Sequence, residues 1–335
     1  MVCGGAAAFF HSHRTPEFFK RKGLLGLLFF QKARKKTERL NASFWIRSVM
    51  DTYVYTLLVG LYYGMNVWLV ASGLTLIFGM MGVLNFAHGS LYMMGAFMGY
   101  TFAKLCGNNF WLGLLIGPLA VGVIGATVEF FLIKRVYRLD IIYQLLITYA
   151  LVLVLDNLFK IIYGSLYMSV GVPIQGAVRV MGRFVPIYYF FIIAVGILVA
   201  LLLWILLNKT KLGRYLRAAA YNREMSSAVG INVPRLFTFI FGLGSAMAAL
   251  GGAMTAPIQT ISSGMGTAII ITSFIVAVIG GLGSLLGAFL GAIIIGLVNS
   301  FGILWLGEMS APLPYAAMAI ILLARPSGLF GASEE

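Results

Sequence analysis

Between Asp51 and Arg325 the chain returns again and again to long apolar stretches that carry almost no charge. A helix needs roughly 20 such residues to cross the hydrocarbon core of a bilayer, and a water-soluble domain has no use for them at this frequency. Reading the apolar runs between charges gives spans near 53–79, 83–104, 111–133, 141–163, 185–207, 236–257, 268–298 and 311–324. In lipid every backbone N–H and C=O must be satisfied internally, which leaves helices or a closed barrel; these runs lack the two-residue alternation of barrel strands, so they are helices. The fold class is therefore all-α, a polytopic membrane helix bundle of about eight transmembrane segments occupying residues 51–331. Composition agrees: 61% of residues are hydrophobic and 10% charged, against about half and a quarter in soluble domains.

The formal charge of +14 would raise nucleic acid as a partner of a soluble protein, but its position argues otherwise. Ten of the 24 basic residues lie in residues 1–50 and nine more in two connections, 134–138 and 209–235, the clustering that the positive-inside rule gives to cytoplasmic segments. Anionic lipid and a cytoplasmic partner are the simpler recipients. Residues 1–50 form a basic N-terminal extension containing Lys20-Arg21-Lys22, a run from Leu24 to Phe30 that is too short to span, and a cluster from Lys32 to Lys36. It reads as a poorly ordered extension or an over-long start, with an interfacial amphipathic segment as the alternative. A secretory signal would need a longer apolar region and a small-residue cleavage site. Cys3 and Cys106 have neither metal-ligand spacing nor a disulfide framework.

Topology contains a conflict. The two basic connections flank two spans and can share one side, with 164–184 on the other. Counting three unbroken spans back from Lys134, or forward from Arg235, puts the basic N-terminus and Arg325 on the wrong side for the charge rule. The conflict is repaired if two glycine-rich segments, Gly79 to Gly89 and Gly280 to Gly283, are broken or re-entrant, adding a crossing to each half and leaving both termini cytoplasmic; interrupted helices in matching positions of two halves are where transport proteins build their pathway. Glycines at four-residue spacing, Gly95/Gly99, Gly113/Gly117 and Gly283/Gly287/Gly291, fall on single helix faces and permit close helix packing, although glycine is frequent throughout membrane helices.

Polar groups inside this apolar background are few. Asn85 and His88 are three apart and would share a helix face, lining a polar path or capping an interrupted helix; the plainer alternative is a loop at the membrane surface. His11 and His13, the other two histidines, lie in the extension, which argues against a metal site. Glu129 is expected to pair locally with Lys134 or Arg135, and Asp156 with Lys160 at i,i+4. The connection from Lys211 to Arg235 is more telling. Ala218 to Val229 is a short helix candidate, Gly230 suits the left-handed residue that closes it, and Asn232 with Pro234 suits the start of the next helix. Its alanines permit close approach while its arginines stay solvated, which suits docking into a partner's groove; an ordinary basic loop is the alternative. No G-x-x-x-x-G-K-[ST] loop, H-E-x-x-H pair or G-x-S-x-G elbow occurs, so neither ATP hydrolysis nor another enzyme activity is expected of this chain itself, and no cofactor is expected.

Taken in order, Ala71-Ser-Gly-Leu-Thr-Leu-Ile-Phe-Gly79, Gly82-Val-Leu-Asn-Phe-Ala-His-Gly89, the Asn222 to Asn232 loop, Ile279-Gly-Gly-Leu-Gly-Ser284, Gly287-Ala-Phe-Leu-Gly291 and Arg325-Pro-Ser-Gly-Leu-Phe-Gly331 resemble the branched-chain amino-acid permease family of ABC importers, the LivH type. The resemblance covers roughly residues 52–331. It implies a permease of the cell inner membrane that pairs with a second, related permease of the LivM type, two cytoplasmic ABC ATPases and an extracytoplasmic solute-binding protein. It also implies that the 211–235 loop seats in the ATPase, with Arg217, Ala219, Asn222, Glu224, Ala228, Gly230 and Ile231 as the coupling residues, and a translocation path at Asn85, His88, Gly281 and Gly283. The implied cargo is leucine, isoleucine and valine, with urea, short amides or other amino acids as alternatives. The extension before Asp51 is longer than the family's usual start, and Glu224 is the only carboxylate of the loop. An ion-coupled secondary transporter, for which Asp156 and His88 are the candidate ion sites, and a self-sufficient channel are the competing classes.

Overall fold

A computed structural model of the chain describes residues 16–137, 139–164 and 167–331, with side chains from residue 49 onward. The order is α1 (Pro16–Met81), α2 (His88–Leu105), α3 (Phe110–Phe131), a 3-10 turn (Ile133–Val136), α4 (Ile141–Tyr163), a hairpin of β1 (Ala177–Val180) and β2 (Arg183–Pro186), α5 (Ile187–Lys209), α6 (Lys211–Tyr221), α7 (Arg223–Ala228), α8 (Val233–Thr255), α9 (Met265–Gly280), α10 (Leu285–Leu306), a second 3-10 turn and α11 (Leu313–Ala324). The chain divides into a unit ending at Tyr53 and a unit beginning at Val54. Of the extension expected to be poorly ordered, residues 1–15 lie outside the described residues and 16–50 take a helical backbone; the side chains on which an interfacial reading of Leu24 to Phe30 would rest also lie outside them.

The unit from Val54 is a helix bundle built around α1, whose residues Val67 to Ala71 are all but fully buried. Small residues explain how its neighbours come so close. A Cβ on Gly95 of α2 would meet the backbone of Ala249 on α8, and Gly99, Gly113 and Gly117 bring α2 against α3 in the same way. In a lipid solvent such backbone approach, rather than burial of apolar area, holds helices together. Among the described residues six helices are long and apolar enough to cross a membrane, including α4 and α5, whose spans are only 17% buried within the chain, as expected of surfaces that face lipid or another subunit. Of the other described helices, α9 and α11 are shorter and apolar, and α2 begins inside the bundle, with His88 beside Val70 and Gly73 of α1.

The extra crossing comes from one half only. The expected 268–298 span is two helices, parted at residues 281–284 where Gly281 and Gly283 take φ of +95° and +90°. The break between Gly82 and Ala87 merely separates two helices already counted as two. Two ends of the bundle result. One end gathers Met81, Val83, Ile133, Val136, Leu216, Ala219 and Val233 in a single apolar cluster. The C-terminal segment joins it through hydrogen bonds from Leu329 N–H to Ile279 O (2.8 Å) and from Phe330 N–H to Gly280 O (3.0 Å). At the opposite end the backbones of Met168 and Ile261 exchange two hydrogen bonds, and Arg183 of the hairpin lies over the ring of Tyr55, 5.6 Å from its centroid. The repair expected for both termini therefore holds for Arg325, which shares the end of the 211–235 connection, and not for the start of the first span at Val54, which lies at the hairpin end.

Candidate functional site

The 211–235 connection folds as two helices rather than the single Ala218 to Val229 helix the sequence suggested. Thr210 caps α6, accepting from Gly213 N–H (3.2 Å). Asn222 then leaves the helix (φ −149°, ψ 107°) and its side chain accepts from Met225 N–H (2.9 Å), so it ends α6 and starts α7. An asparagine side chain offered to the backbone competes with helix continuation, which is why the break falls here. Glu224 stands in the first turn of α7, where a carboxylate favours the helix dipole. Ala228 is the last residue of α7, and Gly230 closes it at φ +92°, after which Ile231 N–H reaches Ser226 O (3.0 Å). Asn232 caps α8 by accepting from Arg235 N–H (3.2 Å).

Outward from this element stand apolar side chains, Tyr221 at 94% exposure, Val229 at 75% and Met225 at 64%, a surface that water does not favour and that a protein groove would cover. Ala219 does not belong to it. It is fully buried against the bundle, so the close approach its small size permits is to its own chain. Arg217 donates to Leu207 O at the end of α5.

Arg223 was not singled out by sequence reasoning, and its surroundings are the most specific of the connection. Its Nη2 donates to Met81 O, the last carbonyl of α1, and the guanidinium lies 5.0 Å from the Phe237 ring centroid and 5.9 Å from that of Tyr137. The expectation that the arginines of the loop stay solvated fails at this position. The Tyr137 hydroxyl in turn donates to Glu129, and Thr238 donates to the other oxygen of the same carboxyl. Burial, then the hydrogen bond to Glu129, push the Tyr137 phenol up, so it stays protonated and keeps donating. Glu129, expected to pair with Lys134 or Arg135, is instead fully buried and held by these two hydroxyls, while Lys134 lies over the Phe130 ring, 5.1 Å from its centroid.

Beyond Met81 the chain turns at Gly82 (φ +64°) into the non-helical segment that carries Asn85. Asn85 and His88 do not share a helix face: Asn85 lies in the extended break, its carbonyl accepting from the backbone N–H of His88 (3.3 Å), the first residue of α2. Both side chains are fully buried. His88 Nε2 is 3.0 Å from Val70 O, whereas His88 Nδ1 and both amide atoms of Asn85 have no hydrogen-bond partner. These three atoms have no partner within the protein, so the segment carries polar groups that water or a ligand could meet. Gly283 touches Gly79 just before the break, and Gly281 packs on Gly331 of the C-terminal segment; the two interrupted segments thus meet at one end of the bundle. Asp156 accepts from Ser90 of α2 (3.1 Å), and Lys160, its expected partner, also acts on its charge. Among the described residues no group of three or more His, Cys, Asp or Glu is placed to hold a metal ion.

Residues 56–324 match the family described as branched-chain amino acid transport system / permease component. The chain is 28% identical to the high-affinity branched-chain amino acid transport system permease protein BraD of Pseudomonas aeruginosa, over 84% of this chain and 97% of that protein. It is 27% identical to the corresponding protein LivH of Salmonella typhimurium, over 82% and 94%. It is 30% identical to a probable branched-chain amino acid transport permease protein LivH of Methanocaldococcus jannaschii, over 69% and 75%.

Proposed function

Because the chain belongs to the family of branched-chain amino acid transport system permease components, we propose that it is the membrane-spanning subunit of an ABC importer that carries leucine, isoleucine or valine across the cell inner membrane. Nucleotide hydrolysis belongs to partner ATPases, cargo delivery to an extracytoplasmic solute-binding protein, and the second half of the pathway to a related permease of the LivM type. The end that carries the 211–235 connection faces the cytoplasm. Of the described basic residues beyond residue 50, nine lie at that end (Lys134, Arg135, Lys209, Lys211, Arg214, Arg217, Arg223, Arg235 and Arg325) and four towards the other (Lys104, Lys160, Arg179 and Arg183), which favours this orientation under the positive-inside rule.

The observation that carries the reading is the capped pair α6 and α7, which presents Tyr221, Met225 and Val229 at the basic end of the bundle. Short rigid helices of this kind can transmit a push, and a bundle with two interrupted segments at the same end can answer it by changing which side is open. Such a change needs a partner with different contacts in the two states. The test is to purify the tagged protein and reconstitute it with the binding protein. A stoichiometric ATPase and ATP-dependent leucine uptake are expected; repeated purification without any ATPase, or uptake indifferent to ATP, would overturn the reading.

A further inference from the structure

We propose that Arg223 is a positioning residue that ties α7 to the end of α1, so that displacement of α7 by the ATPase moves the 82–87 break and the side chains of Asn85 and His88 with it. The proposal rests on the permease reading and deepens it, since it names the joint through which the coupling element acts.

Arg223 opens α7, yet its side chain turns away from the outward face and ends on the carbonyl of Met81, 142 residues earlier in sequence. That carbonyl lies within the last turn of α1, where carbonyls have no partner inside the helix, so the arginine supplies the cap that the helix lacks. The bond is charge-assisted, and the two rings of Phe237 and Tyr137 fix the plane of the fork. Tyr137 is itself anchored to Glu129 of α3, which Thr238 of α8 also holds. One cation therefore joins α7 to α1 while leaning on rings presented by α8 and by the turn after α3.

The stretch immediately beyond Met81 is built to move. Gly82 has left-handed backbone geometry and open space around its Cβ position apart from Arg223 itself at 3.9 Å. The segment beyond it buries Asn85 with both amide atoms unpartnered and His88 with Nδ1 unpartnered. These three buried polar atoms have no partner within the protein, so they are available to water or cargo where the path opens. A clamp on one side of a glycine turn and a poorly satisfied polar segment on the other form a joint with two settings.

The experiment uses the reconstituted importer complex with Cys3→Ser and Cys106→Ser, and Asn85→Cys as a reporter for a membrane-impermeant maleimide. In the parent complex the labelling rate should differ about tenfold between nucleotide-free and ATP-trapped states, within the usual range of coupling between two sites. In Arg223→Gln the ATPase should still co-purify while that difference shrinks to about twofold or less, and cargo moved per ATP should fall with it. Arg223→Lys, which keeps the cation and loses the fork, should recover part of both. Nucleotide-dependent labelling that survives Arg223→Gln unchanged overturns the proposal, as does a parent complex with bound ATPase whose Asn85→Cys ignores nucleotide. If Arg223→Gln does not accumulate, Phe237→Leu, which removes a ring and leaves the guanidinium, is read in the same way. A parent protein that never retains an ATPase sinks the permease reading instead, and that result is visible before any labelling is done.

Discussion

Gly230 stands at φ +92° with nothing within 4 Å of where its Cβ would be, so a side chain there meets strain and not crowding. A β-branched residue in this region costs on the order of 1–3 kcal/mol. Gly230→Val is therefore expected to leave the bundle assembled, because the site is exposed, while the end of α7 is rebuilt and less cargo is carried per ATP consumed. Uptake and phosphate release measured together on reconstituted vesicles check this; uptake per ATP equal to that of the parent would remove Gly230 from the coupling element. Gly230, Asn232 and Pro234 were legible in the sequence because caps and left-handed turns are local, written within a few residues of where they act. Arg223 was not. It is one basic residue among several in its loop, and what distinguishes it, the Met81 carbonyl and the rings of Tyr137 and Phe237, is supplied from distant parts of the chain.

Among the elements, every expected span except 268–298, which is two helices, was read with small errors because lipid imposes length and polarity on each of them separately. Glycines at four-residue spacing pointed to close packing, and the structure places Gly95 on Ala249 and Gly99 against Gly113 and Gly117. Gly95→Leu would force the α2 and α8 backbones apart, beyond the 1–3 kcal/mol typical of overfilled cores. Its thermal unfolding midpoint in detergent should fall well below the parent's, whereas Gly171→Ala, with open space around it, should not change it. Equal midpoints for the two variants would contradict the packing described. Pairings between elements were the illegible part. Glu129 had Lys134 and Arg135 close by in sequence, yet its partners are hydroxyls from other segments, whereas Asp156 keeps the influence of Lys160 and adds a hydroxyl from α2. Near a helix terminus the sequence cannot say which way a carboxyl turns, and buried hydroxyls compete well with solvated lysines.

For the molecule as a whole, the charge rule identified the correct conflict and half of its resolution. A break at residues 281–284 restores Arg325 to the basic end, while the first span still begins at the end that carries the hairpin. Arg217→Cys should accordingly be labelled from the cytoplasmic side and Val178→Cys, on the exposed hairpin, from the other, measured in inside-out and right-side-out vesicles of a Cys3→Ser, Cys106→Ser background. Labelling of both from one side would break the topology. The segment around Leu329 and Phe330 bears on how such a molecule is made. The carbonyls of Ile279 and Gly280 that it satisfies belong to the last turn of α9, but their partners arrive only after α10 and α11 have been synthesised and threaded into the bilayer. A chain cut short anywhere between those points leaves the end of α9 without these two donors, so the last few residues of this half complete a helix laid down long before them.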